Sequence, residues 1–579
     1  MNPVSRLATC LLVLLSSCHG GAPSPAPLEV TSDVPIILIV IDALRADRVH
    51  GERGRAIAPR LAALARDSVV FSNAFASAPK TMPSVPQIFT SRYFPDIDHA
   101  QTLLTVLAEA YYDRTGAFIH NPYVTKWLAR LEPTFDDLGG GAFDAVRLTD
   151  DAAAWLEART SQRFALYMHY LDVHVPLRPP AEVASRFVDT SYRGPIGLEF
   201  DDLPGAWAGR YNPEDQRRVR QIYDATVAAT DAQVGRLLDF LRRRGLYEHA
   251  LIVVTADHGE ELWDHGGFFH GHTLHDELLR VPLIVKFPGQ WAAGTEVTAL
   301  ARSIDILPTI VDLLSRSGVS IASDCEGDSL IPLVGGQSRP RTLFATVGRV
   351  DERSPPLLAV RTASAKLIHD VRSGDEQLFD LAADPGENSD LARSEPAPAA
   401  LGPLRTELAA RMERLHSTGV HLRLASSQAE PARYHLEVSL APIVPFINFA
   451  RFGLEDGDRI EPKPRADGFR ASGVLAPGDT DEIRFDVLST SATLKVALTT
   501  EPAGLPVEVC VGEEKDCATR TADHLELALE RLDSEVEPPP RKASSIAMSL
   551  WRLPGQTPPI TNLLSPADRE RLRALGYAE

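Results

Sequence analysis

Leu251-Ile252-Val253-Val254-Thr255-Ala256-Asp257-His258-Gly259-Glu260 is the stretch on which the fold turns. Its first five residues are apolar or β-branched without polar alternation, the pattern of a short strand buried on both faces. The run leads straight into Asp257-His258-Gly259-Glu260. A carboxylate and an imidazole leaving a sheet edge at a glycine turn can both face one cation. Just upstream lies a well-marked helix. Asn212 stands as N-cap, Pro213 at the first position, and Glu214 and Asp215 in the first turn. Val219, Ile222, Tyr223, Val227, Val234, Leu237, Leu238 and Leu241 recur on one face before Arg242-Arg243-Arg244-Gly245 stops it. From Pro35 onward short β-branched runs alternate with longer amphipathic stretches, which predicts βαβ units around a largely parallel sheet.

Two further strands end as Leu251–Thr255 does. Ile36 to Ile41 leads to Asp42, and Ala165 to Tyr170 leads to Asp172 and His174. An Asp after a strand is by itself more often a helix N-cap than a ligand. Three acidic or imidazole-bearing ends on one sheet shift that balance, because ligands of open α/β sheets bind outside the carboxyl ends of the strands. Between them runs Pro79-Lys80-Thr81-Met82-Pro83-Ser84-Val85-Pro86-Gln87-Ile88-Phe89-Thr90. Taken alone it reads as a proline-punctuated turn whose hydroxyl caps a helix.

Taken together, these segments carry a family resemblance. Leu38 to Asp47, Thr81-Met82-Pro83-Ser84, Asp172-Val173-His174, Tyr223-Asp224-Ala225, Thr255 to Glu261, Phe269 to Leu274, Leu279 to Ile284, and Lys366-Leu367-Ile368 with Leu378 to Leu381 follow one another in that order. The set resembles the sulfatase-like members of the alkaline phosphatase superfamily over about residues 35 to 420. The resemblance implies a mixed, mainly parallel sheet flanked by helices. It makes Asp42, Asp257 and His258 metal ligands, with Thr81 the nucleophile on the same ion. His174 and His270 fall where the family holds the charged oxygens of the substrate or assists the leaving group. His272, His275, Asp264 and His265 have weaker claims, and Asp172, His174, His270 and His272 are the candidates for a second metal.

The departures from the family pattern matter. Sulfatases that act through formylglycine present Cys or Ser followed by Pro two residues on and Arg four residues on. Here the positions are Thr81, Pro83 and Val85. A secondary alcohol cannot give the aldehyde hydrate, so Thr81 is expected to attack directly, as in the phosphoethanolamine and phosphoglycerol transferases the motif also resembles. Asp257-His258 in place of Asp-Asn adds a nitrogen ligand, favouring Zn²⁺ or Mn²⁺ over Ca²⁺ or Mg²⁺. The expected function is a metal-dependent hydrolase of anionic sulfate or phosphate esters. The alternatives are a phosphoryl-group transferase and a catalytically silent surface binding protein.

The 579 residues, 44% apolar and 24% charged, suit a multidomain globular chain. A balance of 59 basic to 78 acidic side chains, net −19, argues against nucleic acid as a partner, although a local basic or metallic site could still attract an anion. Residues 1–18 read as a lipoprotein signal: Arg6, an apolar run from Leu7 to Leu15, then Leu15-Ser16-Ser17-Cys18. The expectation is an exported protein of the bacterial envelope, periplasmic or at the cell surface, held to the membrane through an acylated Cys18. The Gly/Pro/Ala/Ser-rich 19–34 reads as a tether. A catalytic domain over 35–335 is expected, completed by a small antiparallel α+β subdomain over 336–425. Short alternating strands at 430–545 predict a β-sandwich, with a Pro-rich linker and terminal helix at 546–579. Of five cysteines, Cys510 and Cys517 are spaced to pair in an oxidising compartment, and Cys325 is single.

Overall fold

The computed structural model describes residues 26–553 apart from 94–99, 130, 132, 141–143, 159–162, 338, 348–356, 371–373, 395–397, 417–418, 442–445, 453–458, 463–467, 488–492, 504, 506, 512–517, 521–524 and 529–544. The leader with Cys18, the expected terminal helix and the expected Cys510–Cys517 pairing lie outside the described residues or side chains.

The central element is the strand Ile36–Ile41. It runs parallel to Phe164–Tyr170 on one side and to Leu251–Thr255 on the other. The full eight-stranded sheet has the order Glu296–Val297, Val69–Phe71, Leu283–Lys286, Leu251–Thr255, Ile36–Ile41, Phe164–Tyr170, Arg114–Ile119, Asp137–Gly140. Leu283–Lys286 is antiparallel to both its neighbours, so the sheet is mixed but mainly parallel. Side chains alternate faces along a strand. Ile37, Ile39 and Ile41 therefore enter one core, whereas Ile36, Leu38 and Val40 enter another. That double burial is why the strands read as unbroken apolar runs.

The 31-residue helix Pro213–Arg243 covers the first face with Val219, Ile222, Tyr223, Val227, Val234, Leu237, Leu238 and Leu241. Asn212 caps it as the sequence indicates, accepting from the Glu214 and Asp215 amides, and Asp215 closes a capping box. The second face is covered by Ile306–Arg316 and by the helix Thr81–Thr90 through Val85, Ile88 and Phe89.

The small subdomain is a four-stranded antiparallel sheet, Leu343–Val347, Leu357–Arg361, Ala365–Asp370 and Glu376–Asp380. Leu401, Leu404 and Leu408 of the helix Leu401–His416 close its core. Beyond it a six-stranded and a five-stranded sheet share one apolar core. This β-rich unit is wider than the 430–545 expected from the sequence. Gly419–Ser426 pairs with both Thr480–Val487 and Ile546–Leu553. Val420, Leu422 and Leu424, like Ile546, Met548 and Leu550, supply inward positions with a strand's period of two.

Candidate active site

The carboxyl edge of the central sheet gathers the chemistry. Asp42 continues the ladder beyond Ile41, its amide donating to the Tyr170 carbonyl at 2.9 Å. The turn after it puts Ala43 in the left-handed region, at φ 58°. Tyr223 on the long helix holds that turn, donating to the Ala43 carbonyl at 2.6 Å and accepting from the Arg45 amide at 3.1 Å. Asp257 and His258 leave the neighbouring strand in a loop that packs on Glu277. A Cβ on Gly259 would sit 2.1 Å from the Glu277 carbonyl oxygen, so this close approach requires glycine.

Asp42, Asp257 and His258 are fully buried, and one ligand atom from each lies within 4.8 Å of the others. Asp42 divides its oxygens. Oδ2 accepts from Thr81 Oγ1 at 3.2 Å and Asn121 Nδ2 at 3.3 Å, and pairs with His169 Nε2 at 3.1 Å. Oδ1 has no hydrogen-bond partner among the described residues, and neither has Oδ2 of Asp257. Asp257 Oδ1 accepts from the His258 amide at 3.0 Å. His258 Nδ1 donates to the Gly259 carbonyl at 2.8 Å, which leaves the Nε2 lone pair 3.4 Å from Asp42 Oδ1 and 3.7 Å from Asp257 Oδ2. Burial and the neighbouring Asp42 charge push the Asp257 carboxyl above the usual range. Burial also opposes ionisation of Asp42, but the His169 hydrogen bond and the surrounding imidazoles hold it below that range. Three buried acceptors converging within reach of one another fit a divalent cation.

Thr81 opens its helix but does not cap it: Lys80 occupies the N-cap position with no side-chain cap bond. Met82 has non-helical angles (φ −105°, ψ 114°), so the chain bends immediately after Thr81. The bend frees the hydroxyl for the cluster, where Oγ1 lies 3.5 Å from His258 Nε2 as well as near Asp42. Ser84 Oγ donates to the Asp257 carbonyl at 2.6 Å and ties the helix to the metal-ligand loop.

His174 and His270 flank this centre. Their ring centroids are 4.7 Å apart, and that of His270 is 4.3 Å from His258. Burial lowers the pKa of both, so neither is a resident cation. His270 Nδ1 sits 3.0 Å from Glu260 Oε1. Glu260 is pushed well above the carboxylate range by burial and then by Asp42. Its contact with Nδ1 fixes the orientation of the His270 ring and leaves Nε2 facing away from Glu260.

The weaker candidates serve structure. Asp172 Oδ1 accepts from the Ala145 amide at 3.0 Å. His272 pairs with Glu261 at 2.6 Å, His265 with Glu277 at 2.7 Å, and Asp264 with Arg45. His275 stacks on His265 with centroids 3.8 Å apart. None of these four, nor Asp172, joins the cluster of converging ligand atoms. Sequence reasoning passed over Asn121, His169 and Glu260. A buried His inside the apolar run Phe164–Tyr170 was the available signal for His169, whose Nδ1 meets Tyr167 Oη at 2.7 Å. Asn121 carries no such signal, because it also caps the helix Pro122–Leu128.

A mixed sheet with these groups at its carboxyl edge is the architecture of the alkaline phosphatase superfamily. Residues 35–316 match the sulfatase family model, and residues 264–417 match the C-terminal model of N-sulphoglucosamine sulphohydrolase. Over these residues the chain is similar to the sulfatases. It is 32% identical over 223 residues to an N-acetylglucosamine-6-O-sulfatase of Bacteroides thetaiotaomicron, covering 37% of this chain and 38% of the relative. It is 33% identical over 185 residues to a choline-sulfatase of Rhizobium meliloti, covering 32% and 35%. The chain thus spans less than two fifths of either relative's length. Among solved structures, a complex with the substrate D-glucosamine-2-N,6-O-disulfate superposes with a TM-score of 0.54 at 21% identity, covering 67% of this chain and 98% of the other. The phosphonate monoester hydrolase of Agrobacterium radiobacter gives 0.51 at 20% identity, covering 66% and 95%. Both show a shared fold.

Proposed function

We propose that the protein hydrolyses sulfate esters, with Thr81 as nucleophile beside a divalent cation held by Asp42, Asp257 and His258. The observation that carries this reading is the Thr81 hydroxyl, 3.2 Å from Asp42 and 3.5 Å from His258 at a buried set of converging acceptors. The two relatives described above are named as sulfatases, which is why sulfate esters lead over phosphate esters and hydrolysis over group transfer. A bound divalent cation would supply Lewis-acid charge for the substrate oxygens and favour the ionised hydroxyl.

The chain's own groups do the rest. Asp42 Oδ2 orients the Thr81 hydroxyl along with its other partners, Asn121 and His169. His270, its ring held through Nδ1 by Glu260, is the donor for the leaving oxygen. General acid help of this kind contributes about 10²- to 10⁴-fold. Thr81 acts without conversion to formylglycine.

The test is a panel of aryl sulfate, phosphate monoester, phosphodiester and phosphonate with Zn²⁺, Mn²⁺ or Ca²⁺. Sulfate turnover is expected to be lost in Thr81→Ala with metal content and fold retained. Full activity in Thr81→Ala would assign the attack to water, and wild-type protein inert on every sulfate ester would overturn the reading.

For location we propose an envelope lipoprotein anchored through Cys18, on the strength of the Leu15-Ser16-Ser17-Cys18 motif. Stable anchoring takes more than one acyl chain. Mass spectrometry of the mature N-terminus is expected to show an acylated Cys18, and an unmodified one refutes it. No helix among the described residues is long and apolar enough to cross a membrane.

A further inference from the structure

We infer that Tyr167 is a positioning residue for the metal site and reaction proposed above, on which this assignment rests. Acting through His169, it commits one oxygen of Asp42 to hydrogen bonding. Asp42 then presents Oδ1 alone to the cation and keeps Oδ2 for the Thr81 hydroxyl. The strand register lays these groups out. Side chains two residues apart share a face of a strand, so Tyr167 and His169 point the same way from Phe164–Tyr170. His169 stands beside Val40 on one neighbouring strand and beside Ile119 on the other. Asp42 and Asn121 lie two positions beyond those partners, which sets His169 on the diagonal to both.

Of the three contacts to Asp42 Oδ2, that of His169 Nε2 at 3.1 Å is shorter than those of Thr81 Oγ1 at 3.2 Å and Asn121 Nδ2 at 3.3 Å. A carboxylate that holds a cation only accepts, so the hydrogen between Oδ2 and His169 belongs to Nε2. In the neutral ring Nδ1 is then a lone pair, and Tyr167 Oη, 2.7 Å away, donates to it. Tyr167 has the hydrogen to give, because burial pushes its hydroxyl well above the ordinary phenol pKa. Its own ring is held on both sides. It is fully buried, meets Phe89 of the helix Thr81–Thr90 edge-on with centroids 5.0 Å apart, and stacks on Phe135 at 6.3 Å.

Without the phenol hydrogen, the single hydrogen of the His169 ring can sit on either nitrogen. Placed on Nδ1, it turns the Nε2 lone pair toward Asp42 Oδ2 and removes the shortest of the three contacts. Oδ2 is then drawn to the cation along with Oδ1, and the Thr81 hydroxyl loses its anchor. Asn121 needs no such control, since an amide nitrogen always carries its hydrogens. Hydrogen-bond partners standing behind a metal ligand are worth about 10- to 100-fold in metal affinity or activity.

The experiment is a double-mutant cycle on the full chain with wild type, Tyr167→Phe, His169→Phe and the double variant. Each is titrated metal-free with Zn²⁺ or Mn²⁺ by calorimetry and then assayed on an aryl sulfate at saturating metal. Tyr167→Phe deletes one oxygen and keeps the ring contacts. We expect it to lower metal affinity by about 10-fold or more, and kcat likewise. KM should not change, because buried Tyr167 does not reach the substrate. In the His169→Phe background the Tyr167 change should add nothing to either loss, since Tyr167 acts only through His169. His169→Gln is a second background, in which an amide supplies its own donor and the Tyr167 effect should again disappear. Wild-type metal affinity in Tyr167→Phe overturns the assignment, as do losses that add independently in the double variants. Should wild type bind metal yet turn over no sulfate ester, the functional reading fails and the titrations still decide Tyr167. A wild type that binds neither cation overturns both.

Discussion

Asp257 and Asp42 are fully buried at one site, and each keeps one oxygen without a hydrogen-bond partner among the described residues. In the metal-free protein the two carboxylates and the Nε2 lone pair of His258 repel. Asp257→Asn removes that repulsion while its carbonyl can still accept from the His258 amide. The metal-free variant is therefore expected to be more stable than metal-free wild type, by roughly 1–3 kcal/mol. It should also lose metal affinity and activity. Parallel thermal unfolding and metal analysis check both halves, and a destabilised metal-free variant would count against a cation at this position. Asn121 and His169 belong to the same scale: each spends a donor on Asp42 Oδ2, which leaves Oδ1 for the cation.

Two elements set the reacting groups against each other, the bent helix Thr81–Thr90 and the loop that follows Leu251–Thr255. The loop is held by close backbone packing. The Gly259 amide donates to the Leu278 carbonyl at 2.7 Å and the Glu260 amide to that of Glu277 at 3.1 Å. A methyl group at 259 would meet the Glu277 carbonyl oxygen at 2.1 Å, and a backbone atom cannot rotate away. Gly259→Ala is expected to cost about 1–3 kcal/mol in stability. It should weaken metal binding as well, although the residue touches no ligand atom of the site. Both are measurable by thermal unfolding and metal titration; unchanged metal affinity would mean the loop absorbs the strain without moving Asp257 or His258. The helix needs no such contact. Its position follows from Val85, Ile88 and Phe89 in the core, together with the Ser84 bond to the Asp257 carbonyl.

At the scale of the whole molecule, the small subdomain grips the segment that carries the histidines. Lys366 is fully buried, with Nζ 2.8 Å from Asp276 Oδ1 and 2.6 Å from Glu387 Oε1. Arg361 reaches Asp276 at 3.2 Å, and the Asp276 amide donates to Glu387 Oε2 at 2.7 Å. Lys366→Met leaves two carboxylates short of their cation and is expected to destabilise by about 3–5 kcal/mol. Burial alone would raise the Asp276 and Glu387 carboxyls, but Lys366, helped at Asp276 by Arg361, holds both below their ordinary values. A depressed carboxylate gives its full stability above the unfolded-state pKa, about 4, and loses it as pH falls further. Wild type should therefore lose stability below about pH 4, with a shallower dependence in Lys366→Met. Denaturant unfolding from pH 3 to 7 measures the two slopes; equal slopes would show that this cluster does not govern acid stability.

Local chemistry was enough for much of this protein. The apolar runs Ile36–Ile41 and Leu251–Thr255, the capped helix from Pro213, and Asp42, Asp257 and His258 at strand ends follow from periodicity, capping and turn residues. Those signals act over a few positions and stand in the sequence. The resemblance added Thr81, His174 and His270, and the structure brings all of them to one edge of the sheet. What only tertiary structure decided depends on residues far apart in the chain. The bend at Met82 turns Thr81 from a helix cap toward Asp42. Packing sends Asp172, His265, His272 and His275 to structural partners, and recruits Asn121 and His169 to Asp42. Strands Gly419–Ser426 and Ile546–Leu553 join the second sheet system from outside the expected boundaries because sheet hydrogen bonds connect segments more than a hundred residues apart. Periodicity shows that a strand exists, and pairing chooses its neighbours.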